Sequence, residues 1–479
     1  MTRSTPATFA NEEKRRPLEL LLVTSSVALT LAACYSPMAL AVVAGAAVLF
    51  LAGMRYHPLL LGMIFMMPVN PYLSWDLPVK DLQTLLRLCL FAGALLARQR
   101  AGEPVWPWLF SGRVTRVLLG YFAVAVIAST LFNVPTGAAI RELMRLTSYL
   151  AFYYAVVDWV RTENDLKGVL HALLISTVAV ALFGLYQFLI GGYSALYEAL
   201  YPIQEEALKN PPWSGRITSF LSHYNGTAAY LNMVVPFCIV LALRARDRVT
   251  RLLSRGCLVL SSLALVLTQS RGGLLAYVAI LLVSAYYLAP NLGARVRWMA
   301  VAALFSIAGA VLAGSIFERL SGVDSFTEIT RLAIWAGAWL IFMGHPVAGI
   351  GYGNFKTVLA ATISVPDGFM LDAHNLYLEL LAETGILGLA AFAMLIVICL
   401  RYARRMQRQS QDLMESAVGI AVIAAIAGLL VHGPVEYVFH NSPQCAALFF
   451  LLPALLGSHE FRRSEAALVQ GNAFSPESA

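Results

Sequence analysis

The chain has 479 residues, 59% hydrophobic and 13% charged, with a formal net charge of +7. Soluble domains carry about a quarter charged residues. A water-soluble protein of this length cannot hide so much apolar surface, so the excess faces lipid and chain length no longer counts soluble domains.

In chain order, a polar segment 1–17 with Arg3, Lys14, Arg15 and Arg16 precedes the first apolar run, 18–33. A charged start before an apolar run can be a cleaved signal peptide. Here no convincing cleavage site follows and further apolar segments come at once, so the run reads as a retained membrane helix. Segments near the length needed to span hydrocarbon fall at about 18–34, 37–54, 58–73, 82–97, 114–132, 141–160, 166–190, 222–243, 256–269, 272–289, 298–316, 376–400, 415–432 and 443–458. Several are short, and 256–289 could be one broken span, so the expectation is an all-α polytopic membrane protein with 12–14 transmembrane helices.

The gaps between these segments hold the positive charge: Arg98, Arg100, Arg113 and Arg116; Arg244, Arg246, Arg248, Arg251 and Arg255; Arg295 and Arg297; Arg401, Arg404, Arg405 and Arg408. That is the pattern of cytoplasmic loops, whereas nucleic acid would want one continuous basic face with interleaved aromatics. No nucleic-acid partner is expected; the lipid bilayer is. With the N-terminus inside, every strong basic cluster falls on the cytoplasmic side, Arg462 and Arg463 follow the last span, and both termini are cytoplasmic.

The expected organisation is a cytoplasmic tail (1–17), N-terminal transmembrane helices (18–190), a first outer loop (191–221), central helices (222–316), a large outer loop (317–373) before the last three helices, C-terminal transmembrane helices (374–458) and a cytoplasmic tail (459–479). Within the large loop, 329–343 is amphipathic and suits the membrane interface. Loops on a rigid scaffold carry function, so chemistry is expected on the outer face. Neither an internal repeat nor the inverted symmetry of many transporters is visible. The six cysteines lie in or beside apolar runs with no CxxC or ligand spacing, and read as small core residues.

Arginine is scarce on the outer side. Arg216 lies in SGRITSF before a membrane helix, and Arg271 lies in TQSRGG at the outer end of a span or in a break. Each can be an arginine snorkelling to the headgroups. For Arg271 the alternative is stronger, because Gly272 and Gly273 admit a close backbone and an intramembrane charge points to function. A guanidinium fork grips phosphate, and two on one face suit a diphosphate. His374, at the outer start of a helix, is either a cap or a group that accepts a hydroxyl proton; His223 is the reserve base. Glu379 and Glu383, four apart on one face of an apolar span, require partners, with Arg271 or Arg216 as a guess. Gly349, Gly351 and Gly353 read as a tight turn rather than a phosphate loop, since no strand precedes them. His432, Glu436 and His440 have metal-ligand spacing, but Gly433 and Pro434 interrupt their helix. Arg87, Arg141 and Arg145 read as ion-pair partners or cavity lining, and Arg331 as a phosphate or headgroup contact.

Taken in order, GRITSFLSHYNGTAAYLNMVVPF, LTQSRGG, RLAIWAGAWLIFMGHPVAGIGYGNF and DAHNLYLELLAETGILGL resemble the motifs of the O-antigen ligase and Wzy-type polymerase superfamily of bacterial membrane glycosyltransferases, across about 216–390. The resemblance implies a glycosyltransferase C-type fold in the bacterial inner membrane with a periplasmic active site and no metal or cofactor. The implied donor is an undecaprenyl-diphosphate-linked glycan. The implied acceptor is a sugar hydroxyl of lipid A-core in a ligase, or of a growing lipid-linked glycan in a polymerase. Carried over by position, Arg216 and Arg271 hold the diphosphate with Arg331 as a further arginine, and His374 is the base or orienting group. Base-assisted attack in one displacement inverts the anomeric centre. AETG resembles the polymerase-like and exopolysaccharide branch. The rivals are a transporter or flippase for a lipid-linked or anionic substrate, which needs charge through the midplane, and a scaffold, which has no use for two apposed arginines and a histidine.

Overall fold

The computed structural model describes residues 57–69, 82–130, 136–190, 216–221, 223–289, 325–363, 372–437 and 442–473, with single positions 48, 51, 291, 293, 294 and 439. The expected spans 18–34, 37–54 and 298–316 lie outside them but for residues 48 and 51, as does most of the first outer loop. Regular structure among the described residues is helical: α1 His57–Phe65, α2 Leu82–Arg100, α3 Val105–Leu109, α4 Arg113–Thr130, α5 Gly137–Trp159, α6 Glu163–Ile190, α7 Tyr224–Arg244, α8 Arg248–Thr268, α9 Arg271–Leu288, α10 Ser325–Gly344, α11 Phe355–Thr362, α12 Leu376–Gln409, α13 Leu413–His432 and α14 Pro443–Ala473, with a 3-10 turn at Gly433–Val435. The chain is an all-α, multi-pass membrane protein: eight of these helices (α4, α6–α9, α12–α14) are long and apolar enough to cross a bilayer.

Two expectations change, and one alternative closes. Among the described residues, the span at 58–73 is helical as α1, His57–Phe65, and runs into a turn at 66–68. The carbonyls of Met66 and Val69 at that end accept hydrogen bonds from the Gln83 side chain. The stretch 256–289 is two helices, because Gln269 takes a left-handed conformation (φ 53°) and Ser270 caps a new one, its Oγ accepting from Gly273 N. And α14 continues through Ala473, so helix occupies much of what reads as a tail from 459.

Apolar pattern decides each helix's place. Helices α7, α13 and the first part of α14 are apolar all round and form the centre, whereas α8, α9 and α12 bury one side and turn leucine, isoleucine and valine outward, as lipid-facing helices do. Successive spans turn over in two or three residues (Ala245–Asp247, Ser410–Asp412), which sets them antiparallel. One end of the bundle is therefore basic and laced by ion pairs. Arg462 reaches Glu415 at 2.9 Å and Lys167 reaches Asp247 at 3.1 Å. Fully buried Asp158 pairs with Arg98 and, at 3.0 Å, with Arg161. Removing one member of a buried pair strands the other's charge and costs about 3–5 kcal/mol. Asp158→Ala is therefore expected to lower the melting temperature of the detergent-extracted protein well beyond Lys167→Ala at the half-buried Lys167–Asp247 pair, which scanning fluorimetry measures.

At the opposite end, α10 packs Ile334, Ala338 and Ile341 into a satellite core with Ile350, Phe355, Leu359, Ala373 and Ala382. Leu332, Trp339, Leu340 and Met343 remain exposed. This is the amphipathic stretch of the sequence, one face closing on protein and the other apolar and uncovered.

Candidate active site

The outer motifs are fastened where they are by backbone and amide contacts. Gln187 Oε1, on α6, accepts from Thr218 N at 3.2 Å and Ser219 N at 2.7 Å, and Ile217 N donates to Leu267 O at 3.2 Å. Residues 216–221 are thereby laid across the end of the bundle, with the Arg216 guanidinium 4.5 Å from the centre of the Tyr224 ring. Ser270 Oγ donates to Asn225 Oδ1 at 2.7 Å, and Asn232 Nδ2 donates to Gly273 O at 2.7 Å, so the start of α9 is locked to α7. Gly272 permits the close approach behind it: a Cβ there would lie 2.1 Å from Val435 Cγ2 and 3.0 Å from His432 Cδ2. Arg271 thus opens α9, exposed, beside the 432–436 turn.

His374 is presented by clamps on both sides. Its φ is +45°, a left-handed conformation costing a non-glycine residue about 1–2 kcal/mol. Such strain persists where the surroundings over-determine it, and it gathers at functional sites. On one side, Ala373 N donates to Glu379 Oε2 at 3.1 Å and Trp335 Nε1 donates to Ala373 O at 2.7 Å, while Asp372 pairs with Lys356 at 2.8 Å. On the other, Asn375 caps α12, its Oδ1 accepting from Tyr377 N and Leu378 N at 3.1 Å. Held so, His374 Nδ1 lies 3.4 Å from Oε2 of buried Glu436, and its ring centre 6.2 Å from that of His223.

The two imidazoles are shifted in opposite directions. Burial drives His223 down to about 4, with His374, Arg331 and Arg216 pushing the same way and Glu436 opposing. Its Nδ1 accepts from Asn225 N at 3.2 Å as the N-cap of α7, so the neutral ring carries its proton on Nε2. The sequence reading of His223 as a reserve base meets this difficulty, since the nitrogen with the lone pair is taken and the other donates. Burial also pulls at His374, but the charge and hydrogen bond of Glu436, aided by Asp372, outweigh it and Arg331, raising the imidazole above its ordinary value. His223 feels the charge of Glu436, His374, Arg331 and Arg216, His374 that of Glu436, Asp372 and Arg331, and Arg271 opens α9 beside the turn that carries Glu436.

Glu379 and Glu383 do share a buried face, and both accept hydrogen bonds from backbone amides. Glu383 Oε1 accepts from Gly353 N at 3.0 Å and Phe355 N at 3.3 Å; Glu379 takes the Ala373 amide. Backbone amides leave no mark in sequence, which is why an arginine was the visible candidate. Gly349, Gly351 and Gly353, with φ of +66°, +92° and +86°, make the expected tight turn. That turn docks on α12: Ile350 N and Gly351 N donate to the carbonyls of Ala382 and Glu383, and Tyr352 N to Ser129 Oγ at 2.8 Å. Of the remaining arginines, Arg145 pairs with Glu142 at 2.6 Å, Arg141 is exposed, and buried Arg87 contacts Ser148, Gln83, Thr84 and the Tyr149 ring. In the His432, Glu436 and His440 reading, Glu436 turns to His374, and His440 lies outside the described residues.

Sequence reasoning passed over Glu436 as a partner of His374, and Trp335 and Asp372 as its supports. The signal for Glu436 was a carboxylate two residues after a proline that ends an apolar helix, a charge that burial makes costly without a partner.

Residues 256–393, from within α8 to within α12, match the family described as O-Antigen ligase. The chain is also 25% identical over 383 residues to the teichuronic acid biosynthesis protein TuaE of Bacillus subtilis (strain 168), covering 74% of this chain and 76% of that one. Arg271, Arg331 and His374 all fall inside the matched segment, and the match and the relative together support a place for this chain in the O-antigen ligase and polymerase superfamily.

Proposed function

We propose that the chain transfers a glycan from undecaprenyl diphosphate to an acceptor sugar hydroxyl on the periplasmic face of the inner membrane, in polysaccharide biosynthesis. The observation that supports this is the pairing of His374 with Glu436 beside His223, with Arg216 on the neighbouring Tyr224 ring, Arg331 within reach of both imidazoles' charge and Arg271 at the next helix start, at the end of the bundle opposite the basic ion-paired end. Since basic loops stay cytoplasmic, that opposite end is periplasmic. A relative named for teichuronic acid biosynthesis supports the polysaccharide assignment.

The leaving group is a lipid diphosphate that departs with negative charge. Arg216, Arg271 and Arg331 stabilise it as it develops. His374 Nε2 takes the proton of the acceptor hydroxyl, whose oxygen bonds to the anomeric carbon while the bond from that carbon to phosphate oxygen breaks. One displacement inverts the centre. Removing a preorganised donor from a developing oxyanion costs about 100- to 1,000-fold in rate. Arg216→Ala and Arg271→Ala are each expected to lose that much transfer at normal protein level, and the lysine variants to recover only part, because the planar fork is gone. Surface polysaccharide on gels is the readout; unchanged polysaccharide in both alanine variants would end this reading.

A flippase is favoured by one observation, the break in α12 at Gly385, because interrupted helices mark many transporters. Purified chain incubated with an undecaprenyl-diphosphate oligosaccharide, with and without lipid A-core, separates the cases. A single new band on lipid A-core identifies a ligase, a ladder of lengthening lipid-linked glycan a polymerase, and no product the rival.

A further inference from the structure

Three elements from distant parts of the chain converge on one carboxylate. Glu436 follows the 3-10 turn that ends α13, and it is 2% exposed. Its Oε2 lies 3.4 Å from His374 Nδ1, at the start of α12, and its charge reaches His223, at the start of α7. The 433–435 turn sits against the start of α12, where Gly433 packs on Leu376 and Tyr377, and Tyr377 OH donates to Leu430 O at 2.8 Å. Val435 rests on Gly272, next to Arg271. The carboxylate therefore has little room to leave His374 without moving three helix ends.

From this geometry we infer that Glu436 is the positioning residue of the transfer site: it accepts a hydrogen bond from Nδ1–H of His374, fixing the tautomer that leaves the Nε2 lone pair for the acceptor hydroxyl. The inference rests on the transfer reading above. When the hydroxyl proton arrives on Nε2, the ring becomes a cation between Nε2–H and Nδ1–H, and the carboxylate 3.4 Å away stabilises that charge. The anomeric carbon gains the acceptor oxygen and loses the phosphate oxygen, whose electron pair leaves with the diphosphate. His223, with its Nδ1 used as a helix cap, contributes Nε2–H as a donor and does not compete for the proton. The groups facing His374 are Glu436 after α13, Asp372 before α12, Arg331 on α10 and His223 before α7. Of these, Glu436 and Asp372 raise it, and Asp372 is engaged by Lys356.

The test follows the protonation of His374 directly. Its side chain is 12% exposed, so diethyl pyrocarbonate reaches the neutral imidazole. Mass spectrometry of the His374 peptide then gives the pH at which modification is half-maximal, with no substrate needed. In the wild type that midpoint is expected above the ordinary histidine value, and in Glu436→Gln at lower pH, while Glu436→Asp keeps the charge and stays near wild type. In parallel, transfer from a labelled undecaprenyl-diphosphate oligosaccharide is followed against pH. Glu436→Gln is expected to lower the plateau by about 100-fold and to move the acid limb to lower pH, so that its rate relative to wild type improves as pH falls. An unchanged midpoint and limb in Glu436→Gln, with wild type transferring, would overturn the inference and leave the transfer reading standing. A wild type that transfers nothing defeats the transfer reading, while the modification midpoint still decides whether Glu436 governs His374. If Glu436→Gln does not extract as a folded protein, a wild-type midpoint at or below that of free imidazole overturns the inference by itself.

Discussion

His374→Ala is expected to lower glycan transfer by about 100- to 10,000-fold, the range carried by a positioned proton acceptor, while the protein still extracts folded and its melting temperature drops only by the cost of leaving Glu436 without its imidazole partner. The separation of activity from stability is the informative part. The residue spends about 1–2 kcal/mol on a left-handed backbone, so alanine, which meets the same backbone strain, removes the chemistry and no structural contact beyond the one to Glu436. The supports lie on the neighbours instead: Glu379 and Trp335 hold Ala373, and Asn375 caps α12. Loss of transfer together with a collapsed melting temperature would recast His374 as a structural group. The pH dependence has a definite sign. Because Glu436 raises the imidazole, the neutral, proton-accepting form gains population only as pH climbs through that raised value, so transfer is expected to rise with pH across a limb above the ordinary histidine range.

Gly385→Ala is expected to be the most damaging single change to the fold around the site. Gly385 has φ 63° and ψ −163°, a region essentially reserved for glycine. A Cβ there would fall 2.3 Å from Val347 O and 2.4 Å from Val347 C, backbone atoms that no rotamer change can move. At this break α12 gives up part of its own ladder and the 346–351 turn supplies the replacements: Ile350 N to Ala382 O at 3.0 Å, Gly351 N to Glu383 O at 2.8 Å, Ile386 N to Pro346 O at 2.9 Å and Leu387 N to Val347 O at 3.3 Å. Irregular backbone at such depth is tolerated where protein satisfies it. Strain of about 1–3 kcal/mol and about 1 kcal/mol for each displaced hydrogen bond place the loss at several kcal/mol. Scanning fluorimetry measures it, and limited proteolysis across 345–355 reports release of the turn. Transfer is expected to fall as well, since the same segment carries Glu383 to Gly353 and Lys356 to Asp372, next to His374. An alanine variant with wild-type melting and protection would show that the break is not held by this turn.

What was legible in the sequence followed from composition and local pattern. Apolar runs gave the eight described spans, and basic gaps gave the ion-paired end. The break at Gly385 was invisible because TGILGL continues an apolar pattern without interruption, and a positive φ leaves no trace in hydropathy. The two glutamates were correctly placed on one face, but their partners are backbone amides more than twenty residues upstream in the case of Glu383. Asp158 meets Arg98 from 60 positions away, and Glu436 meets His374 from 62; separations of that kind are set by tertiary packing. The α1 segment read as a span to 73 because apolar composition alone does not reveal that the helix gives way to a turn after Phe65, where Gln83 takes the carbonyls.

Bond cleavage is what distinguishes a transferase from a carrier that moves the same lipid. The most direct measurement places purified chain in proteoliposomes with undecaprenyl-diphosphate oligosaccharide labelled in the sugar and an acceptor glycan. The prediction is that label passes from the lipid diphosphate to the acceptor, free lipid diphosphate is released in equal amount, and His374→Ala does neither. Labelled lipid crossing the bilayer intact, with no diphosphate freed and no dependence on His374, would contradict it.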